Sequence, residues 1–124
     1  GLKGFLAKPG EEDRWTIDVE PGKTYRFDVL AAEANSPVDA VLTLYDGAGK
    51  KQLMTADDAA KSADPTLEYT VPKDMKNLTV AIKDLLGRGG WEYAYNIEVT
   101  DTKAFQRNAI YLDEFLYMPA GARA

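Results

Sequence analysis

The sequence predicts an all-β chain, an antiparallel β-sandwich of jelly-roll type with about eight strands. Apolar and polar residues alternate with a period of two through run after run, the mark of a strand with one buried face. The runs are short and parted by turn signals such as Pro21-Gly22, Asp46-Gly47, Asp64-Pro65, Pro72 and the stretch from Gly87 to Gly90. Nowhere does a helical period last beyond two turns.

Taken in order, "RWTIDVE" sets Trp15, Ile17 and Val19 against Arg14, Thr16 and Asp18, and "TYRFDVLA" sets Tyr25, Phe27 and Val29 against Thr24, Arg26 and Asp28. "AVLTLY" is apolar on both sides, as a central strand is. The alternation returns in "LEYTV" with Leu67, Tyr69 and Val71, and in "NLTVAIK" with Leu78, Val80 and Ile82. It closes in "YAYNIEVT" with Tyr93, Tyr95, Ile97 and Val99. The single candidate helix is a turn around "ADDAAKSAD", residues 56–64.

Residues 1–100 are expected to form this sandwich. Beyond Thr100 the chain turns polar and then offers "AIYLDEFLYMPAGARA", so residues 101–124 read as a linker and the first strand of a following domain. The rival reading makes them an edge strand of the same sandwich. A chain of 124 residues is long enough for one domain with a sizeable core, and is expected to be a piece cut from something longer.

Composition narrows the chemistry. Neither cysteine nor histidine is present, which removes disulfides, thiolate sites, the usual neutral-pH general base and the commonest transition-metal ligand. Both serines, Ser36 and Ser62, lie outside any nucleophile elbow. Paired carboxylates cleave glycosidic bonds in other proteins, but a sandwich this small leaves little cleft for them. No enzyme activity is expected.

The net charge is −5, and residues 1–100 carry 17 acidic against 12 basic groups. Such a surface repels phosphate backbones, so no nucleic-acid partner is expected, and a hard cation is the better electrostatic match. No stretch approaches the roughly 20 apolar residues of a membrane helix, and no membrane insertion is expected.

Several short motifs have a plainer reading beside the sharper one. "EPGKT", residues 20–24, ends like a phosphate-binding loop, but the glycine required five residues before Gly22 is Ile17, which leaves a hairpin turn. "NLT", residues 77–79, fits the glycosylation pattern, which is short enough to occur by chance. "GRGGW", residues 87–91, resembles an Arg-Gly nucleic-acid segment but occurs once in an acidic chain, and reads as a loop crossing between sheets. Trp91 and Tyr93, with Tyr95, are candidate ligand-binding residues that form a stacking surface for a sugar if their rings face solvent; aromatics at this period otherwise belong to the core.

Acidic residues gather near turns. Asp46, before Gly47, reads as turn chemistry, its carboxylate taking backbone N–H groups. Asp39, Asp57 and Asp58, with Asp64 as a fourth, are the candidate calcium ligands, since loops at one end of a sandwich supply oxygens without a fixed linear motif. The adjacent carboxylates need a counter-charge, from solvent, metal or a lysine such as Lys50, Lys51 or Lys61.

Read together, "EDRWTIDVEPGKTYRFDVLA", "SPVDAVLTLYDGAGK", "ADDAAKSADPTLEYTVP" and "IKDLLGRGGWEYAYNIEV" resemble the bacterial pre-peptidase C-terminal domain family. The family's elements match, in order, Asp13 and Trp15, Pro21-Gly22, the run from Asp39 to Gly49, Asp57-Asp58, and Tyr95 to Val99. Ala56 stands where the family usually has an asparagine, and "MKNL" where it usually has a Gly-x-Tyr step. The resemblance implies a jelly-roll accessory module of an exported bacterial protein, secreted, periplasmic or on the cell surface. It also implies adhesion, substrate targeting or domain spacing, in some relatives linked to calcium. Its partners are then an extracellular protein or polysaccharide, or neighbouring domains of the same chain. The tail is similar to the opening strand of an immunoglobulin-like domain.

Overall fold

The computed structural model describes residues 1–31, 35–57 and 64–102. They form β1 (Leu2–Phe5), β2 (Glu12–Asp18), β3 (Thr24–Val29), β4 (Ala40–Asp46), β5 (Gln52–Ala56), β6 (Thr66–Thr70), β7 (Asn77–Asp84) and β8 (Ala94–Asp101). One sheet has the order β1-β8-β3-β6 and the other β2-β7-β4-β5, with every neighbouring pair antiparallel. This is the strand order of a jelly-roll sandwich.

The period-two rows face each other across the two sheets. Leu42, Leu44, Leu78, Val80 and Ile82 from one sheet meet Phe27, Val29, Ile97 and Val99 from the other, all buried. Each fully enclosed leucine or phenylalanine contributes about 1.5–3 kcal/mol relative to exposure, so these rows hold the sheets together. The strand "AVLTLY", apolar on both sides, takes the central position expected of it, between β7 and β5.

Two strands escape the alternation signal. β1 is only four residues long, and β5 is half exposed along its length because it forms the sheet edge, where a register shift opposite Leu44 and Tyr45 breaks the ladder. Pro21-Gly22 does not make a hairpin, because β2 pairs with β7 while β3 pairs with β6 and β8; the turn carries the chain from one sheet to the other. Gly22 adopts φ +84°, which suits a residue without Cβ.

The strand β8 runs one residue past Thr100, and Asp101 pairs with Tyr25 of β3. The expected linker and following strand lie outside the described residues, as does most of the candidate helical turn. Since odd-numbered strands run one way and even-numbered strands the other, the connections β1–β2, β3–β4, β5–β6 and β7–β8 all emerge at one end of the sandwich.

Candidate functional site

That end is organised around a buried carboxylate. The inward row of β7 runs Leu78, Val80, Ile82 and then Asp84, which period two places on the core side and whose carboxylate is fully enclosed. Its Oδ1 accepts the backbone N–H of Asp39 at 2.8 Å and Arg88 Nη2 at 3.1 Å. Its Oδ2 accepts the N–H of Leu86 at 3.1 Å, the N–H of Arg88 at 2.9 Å and Arg88 Nε at 2.9 Å. Burial opposes ionisation, but the Arg88 guanidinium and the N–H groups of Asp39 and Arg88 outweigh it and hold the carboxyl well below the usual range.

The β7–β8 loop therefore folds back on the end of its own strand, and it crosses between sheets as "GRGGW" suggested. It is tied to its neighbours as well. Arg88 Nη2 donates to the carbonyl of Pro37 at 3.1 Å, and Ser36 Oγ to that of Glu92 at 3.2 Å, both on the β3–β4 connection. Gly10 N donates to Gly87 O at 2.9 Å, and Gly90 N to Leu6 O at 2.8 Å, which laces the β1–β2 turn to the same loop.

The mount so formed displays apolar side chains. Trp91 is 81% exposed, Leu86 68%, Leu85 49% and Phe5 36%. The Phe5 and Trp91 rings lie 4.7 Å apart at 39°. These four are the exposed large apolar side chains among the described residues.

The three aromatic candidates thus part company. Trp91 faces solvent, Tyr93 is half-buried with the Arg88 guanidinium 5.5 Å from its ring centre, and Tyr95 is buried. Tyr95 belongs to an inter-sheet network instead: its Oη donates to Asp13 Oδ2 at 2.6 Å and accepts Trp15 Nε1–H at 3.0 Å.

The calcium candidates stand on connections at this same end. Asp39 gives its N–H to Asp84 and its carbonyl to the N–H of Leu85 at 2.7 Å. Asp64 is buried, and its Oδ2 accepts the N–H of Ala31 at 2.9 Å. Asp57 is exposed at the end of β5, and Asp58 lies outside the described residues. Among the described residues no three carboxylates stand together as a metal-binding group. At the opposite end Asp46 Oδ1 accepts the N–H groups of Lys50 at 2.9 Å and Lys51 at 3.1 Å, which is the turn role expected of it.

Asp84, Phe5, Leu85 and Leu86 were not among the residues singled out from sequence. A signal for Asp84 was present, since it falls on the apolar row of "NLTVAIKD".

No family model and no curated protein sequence matches the chain. Solved structures do. A pre-peptidase C-terminal domain of a collagenase from Bacillus anthracis superimposes with a TM-score of 0.54 at 13% identity, covering 79% of this chain and 85% of that one. The fold is that of a pre-peptidase C-terminal domain. PliG from Aeromonas hydrophila, a periplasmic inhibitor of g-type lysozyme, superimposes with a TM-score of 0.55 at 10% identity, covering 79% of this chain and 81% of its own. At such identities the likeness is one of fold. Among the described residues no helix is long and apolar enough to cross a membrane.

Proposed function

We propose that this chain is a non-catalytic accessory module of an exported bacterial protein, and that it recognises a polysaccharide or an extracellular protein through the loop end that displays Trp91. The observation that carries the reading is the 81% exposure of Trp91 beside Phe5, on a loop fixed from beneath by Asp84 and Arg88. An exposed indole on a rigid mount offers a flat apolar face to a sugar ring or to the side chains of an extended peptide, with little ordering cost on binding. The absence of histidine and cysteine from the whole sequence supports a binding role over a catalytic one. An exported setting fits the periplasmic inhibitor and the collagenase domain that share the fold.

The test is co-sedimentation with insoluble chitin, cellulose and peptidoglycan, and capture on a gelatin surface, for the wild type and Trp91→Ala. Binding to one of these supports, reduced at least tenfold by the substitution without loss of thermal stability, supports the reading. Undiminished binding by Trp91→Ala refutes it, and failure of the wild type to bind any of them favours a spacer between domains.

Calcium-linked recognition is a second reading, favoured by the placement of Asp39, Asp57 and Asp64 on connections at one end of the sandwich. Asp58 completes the proposed ligand set. A cation bound only by the folded form at about 100 times its dissociation constant adds roughly 2.7 kcal/mol. Thermal unfolding in EDTA and then in millimolar calcium measures this, and Asp58→Ala must abolish the shift.

A further inference from the structure

The first two strands of the chain stand at the margins of the sandwich, β1 at the edge of one sheet and β2 at the edge of the other. Of the edge strands β2 is the longest, seven residues against four for β1 and five each for β5 and β6. It is also regular. All seven residues pair with β7 in unbroken register, and the run holds no proline. Val19 N donates to Lys76 O at 3.0 Å, directly beyond the pairing of Asp18 with Asn77, which fixes the phase of the ladder. Since hydrogen-bonded and non-bonded pairs alternate between antiparallel strands, Asp13, Trp15 and Ile17 turn their backbone groups to β7. Glu12, Arg14, Thr16 and Asp18 turn theirs outward, where among the described residues no strand pairs with them.

A pocket of about 290 Å³ opens beside this edge, lined by Glu12, Asp13, Arg14, Trp15 and Tyr95. Asp13 anchors it. Tyr95 reaches across from the other sheet, donating to Asp13 Oδ2 at 2.6 Å while accepting Trp15 Nε1–H at 3.0 Å. Room for the phenol comes from Gly4, the cross-strand partner of Tyr95, where an added Cβ would lie 2.7 Å from Oη. An ionised carboxylate offers about four acceptor sites, more than one phenol uses. Among the described residues no cation forms an ion pair with Asp13. Arg14, next to it in sequence, donates to Glu12 Oε2 at 2.8 Å and to Gly49 O at 2.7 Å, and lies over the Tyr45 ring of β4. Its charge is thus drawn across β7 on the outer face, away from the edge.

We propose that the edge of β2 receives an extended peptide as a fifth strand of its sheet, and that the pocket beside Asp13 takes a lysine or arginine side chain of that peptide. The outward N–H and C=O groups of Glu12, Arg14, Thr16 and Asp18 supply the new ladder. A peptide residue opposite Asp13 or Trp15 shares their face of the sheet, so its side chain enters the pocket and meets a carboxylate already held in place by Tyr95. The same carboxylate sets specificity. An inward-pointing charge on an edge strand rejects an apolar strand and admits one that brings the opposite charge. The net charge of −5 favours a basic partner as well. A second copy of β2 fits less well, because full antiparallel overlap sets Glu12 against Asp18 and Asp13 against Ile17. The inference does not depend on what the Trp91 face binds.

The test is an NMR titration of the whole chain with blocked peptides of about seven alternating threonine and valine residues, whose central residue is lysine, arginine or glutamine. A basic peptide is expected to shift the Trp15 indole N–H and the amides of Arg14 and Thr16, and the glutamine peptide to bind about tenfold more weakly. Asp13→Asn is expected to erase that preference. Backbone methylation of the basic peptide serves alone if Asp13→Asn does not fold. Methyl groups on the nitrogen of the central residue and every second one from it leave binding intact, because those N–H groups point away from β2, whereas methyl groups on the intervening nitrogens abolish it. No binding of either basic peptide, equal binding of the glutamine peptide, or indifference to the phase of methylation would each overturn the proposal. So would a free chain that sediments as a dimer with its Arg14 and Thr16 amides protected from exchange.

Discussion

Arg88 grips the Asp84 carboxylate with two nitrogens, Nε on Oδ2 at 2.9 Å and Nη2 on Oδ1 at 3.1 Å, while three backbone N–H groups donate to the same two oxygens. A carboxylate buried at the end of a strand is tolerable only with such company. Here it makes the β7–β8 loop a fixed part of the sandwich, and so presents Trp91 in a fixed place.

Asp84→Ala leaves the N–H groups of Asp39, Leu86 and Arg88 without their acceptor, and is expected to cost about 2–4 kcal/mol of folding stability by chemical denaturation. Asp84→Asn keeps one acceptor oxygen and is expected to cost less. Equal stability of Asp84→Ala and the wild type would remove the carboxylate from its organising role.

Acid should act through the same group. The folded Asp84 carboxyl is depressed, so the stability it contributes is complete above the unfolded value of about 4 and is lost as pH falls below it. Unfolding free energy measured downward from about pH 5 is expected to fall more steeply for the wild type than for Asp84→Asn. Parallel curves would contradict this assignment.

Gly4→Ala brings a methyl group against Tyr95 Oη, and is expected to destabilise by about 1–3 kcal/mol. In a Tyr95→Phe background the closest atom is gone, so the added cost of Gly4→Ala should shrink. A double-mutant cycle measures the coupling, and strict additivity would mean that the phenol does not set the requirement for glycine.

At the far end of the sandwich, Asp46→Ala frees the N–H groups of Lys50 and Lys51 and is expected to lower the unfolding temperature slightly. The loss should be the same in EDTA and in calcium. A calcium-dependent difference would make Asp46 more than a turn residue.

The architecture was legible because most strands of this sandwich bury one face, so period two survives in the sequence from Trp15 to Val99. It failed for β1, too short to show a period, and for β5, an edge strand whose side chains are all partly exposed. Sheet membership was not legible at Pro21-Gly22, since a tight turn between sheets carries the same residues as a hairpin.

The candidate site was half legible. Turn carboxylates drew attention, whereas the most deeply engaged carboxylates extend buried rows: Asp13 on β2, Asp84 on β7 and Asp101 on β8. Asp13 and Asp101 meet partners from elsewhere in the fold, Tyr95 and Lys23, while Asp84 meets Arg88 four residues on. Alternation places such residues inward, but only the tertiary structure shows what receives them. Trp91 was found by residue type, and its exposure follows from the loop that Asp84 shapes.

The most direct test of the central claim is fluorescence of Trp91, taken as the difference between the wild type and Trp91→Phe, during titration with soluble glycol chitin and with gelatin. If the loop end is the recognition face, one of these shifts the Trp91 emission saturably, and Phe5→Ala weakens the binding. A silent Trp91 while the wild type still binds, or no binding of either probe or of the insoluble supports, would contradict the claim.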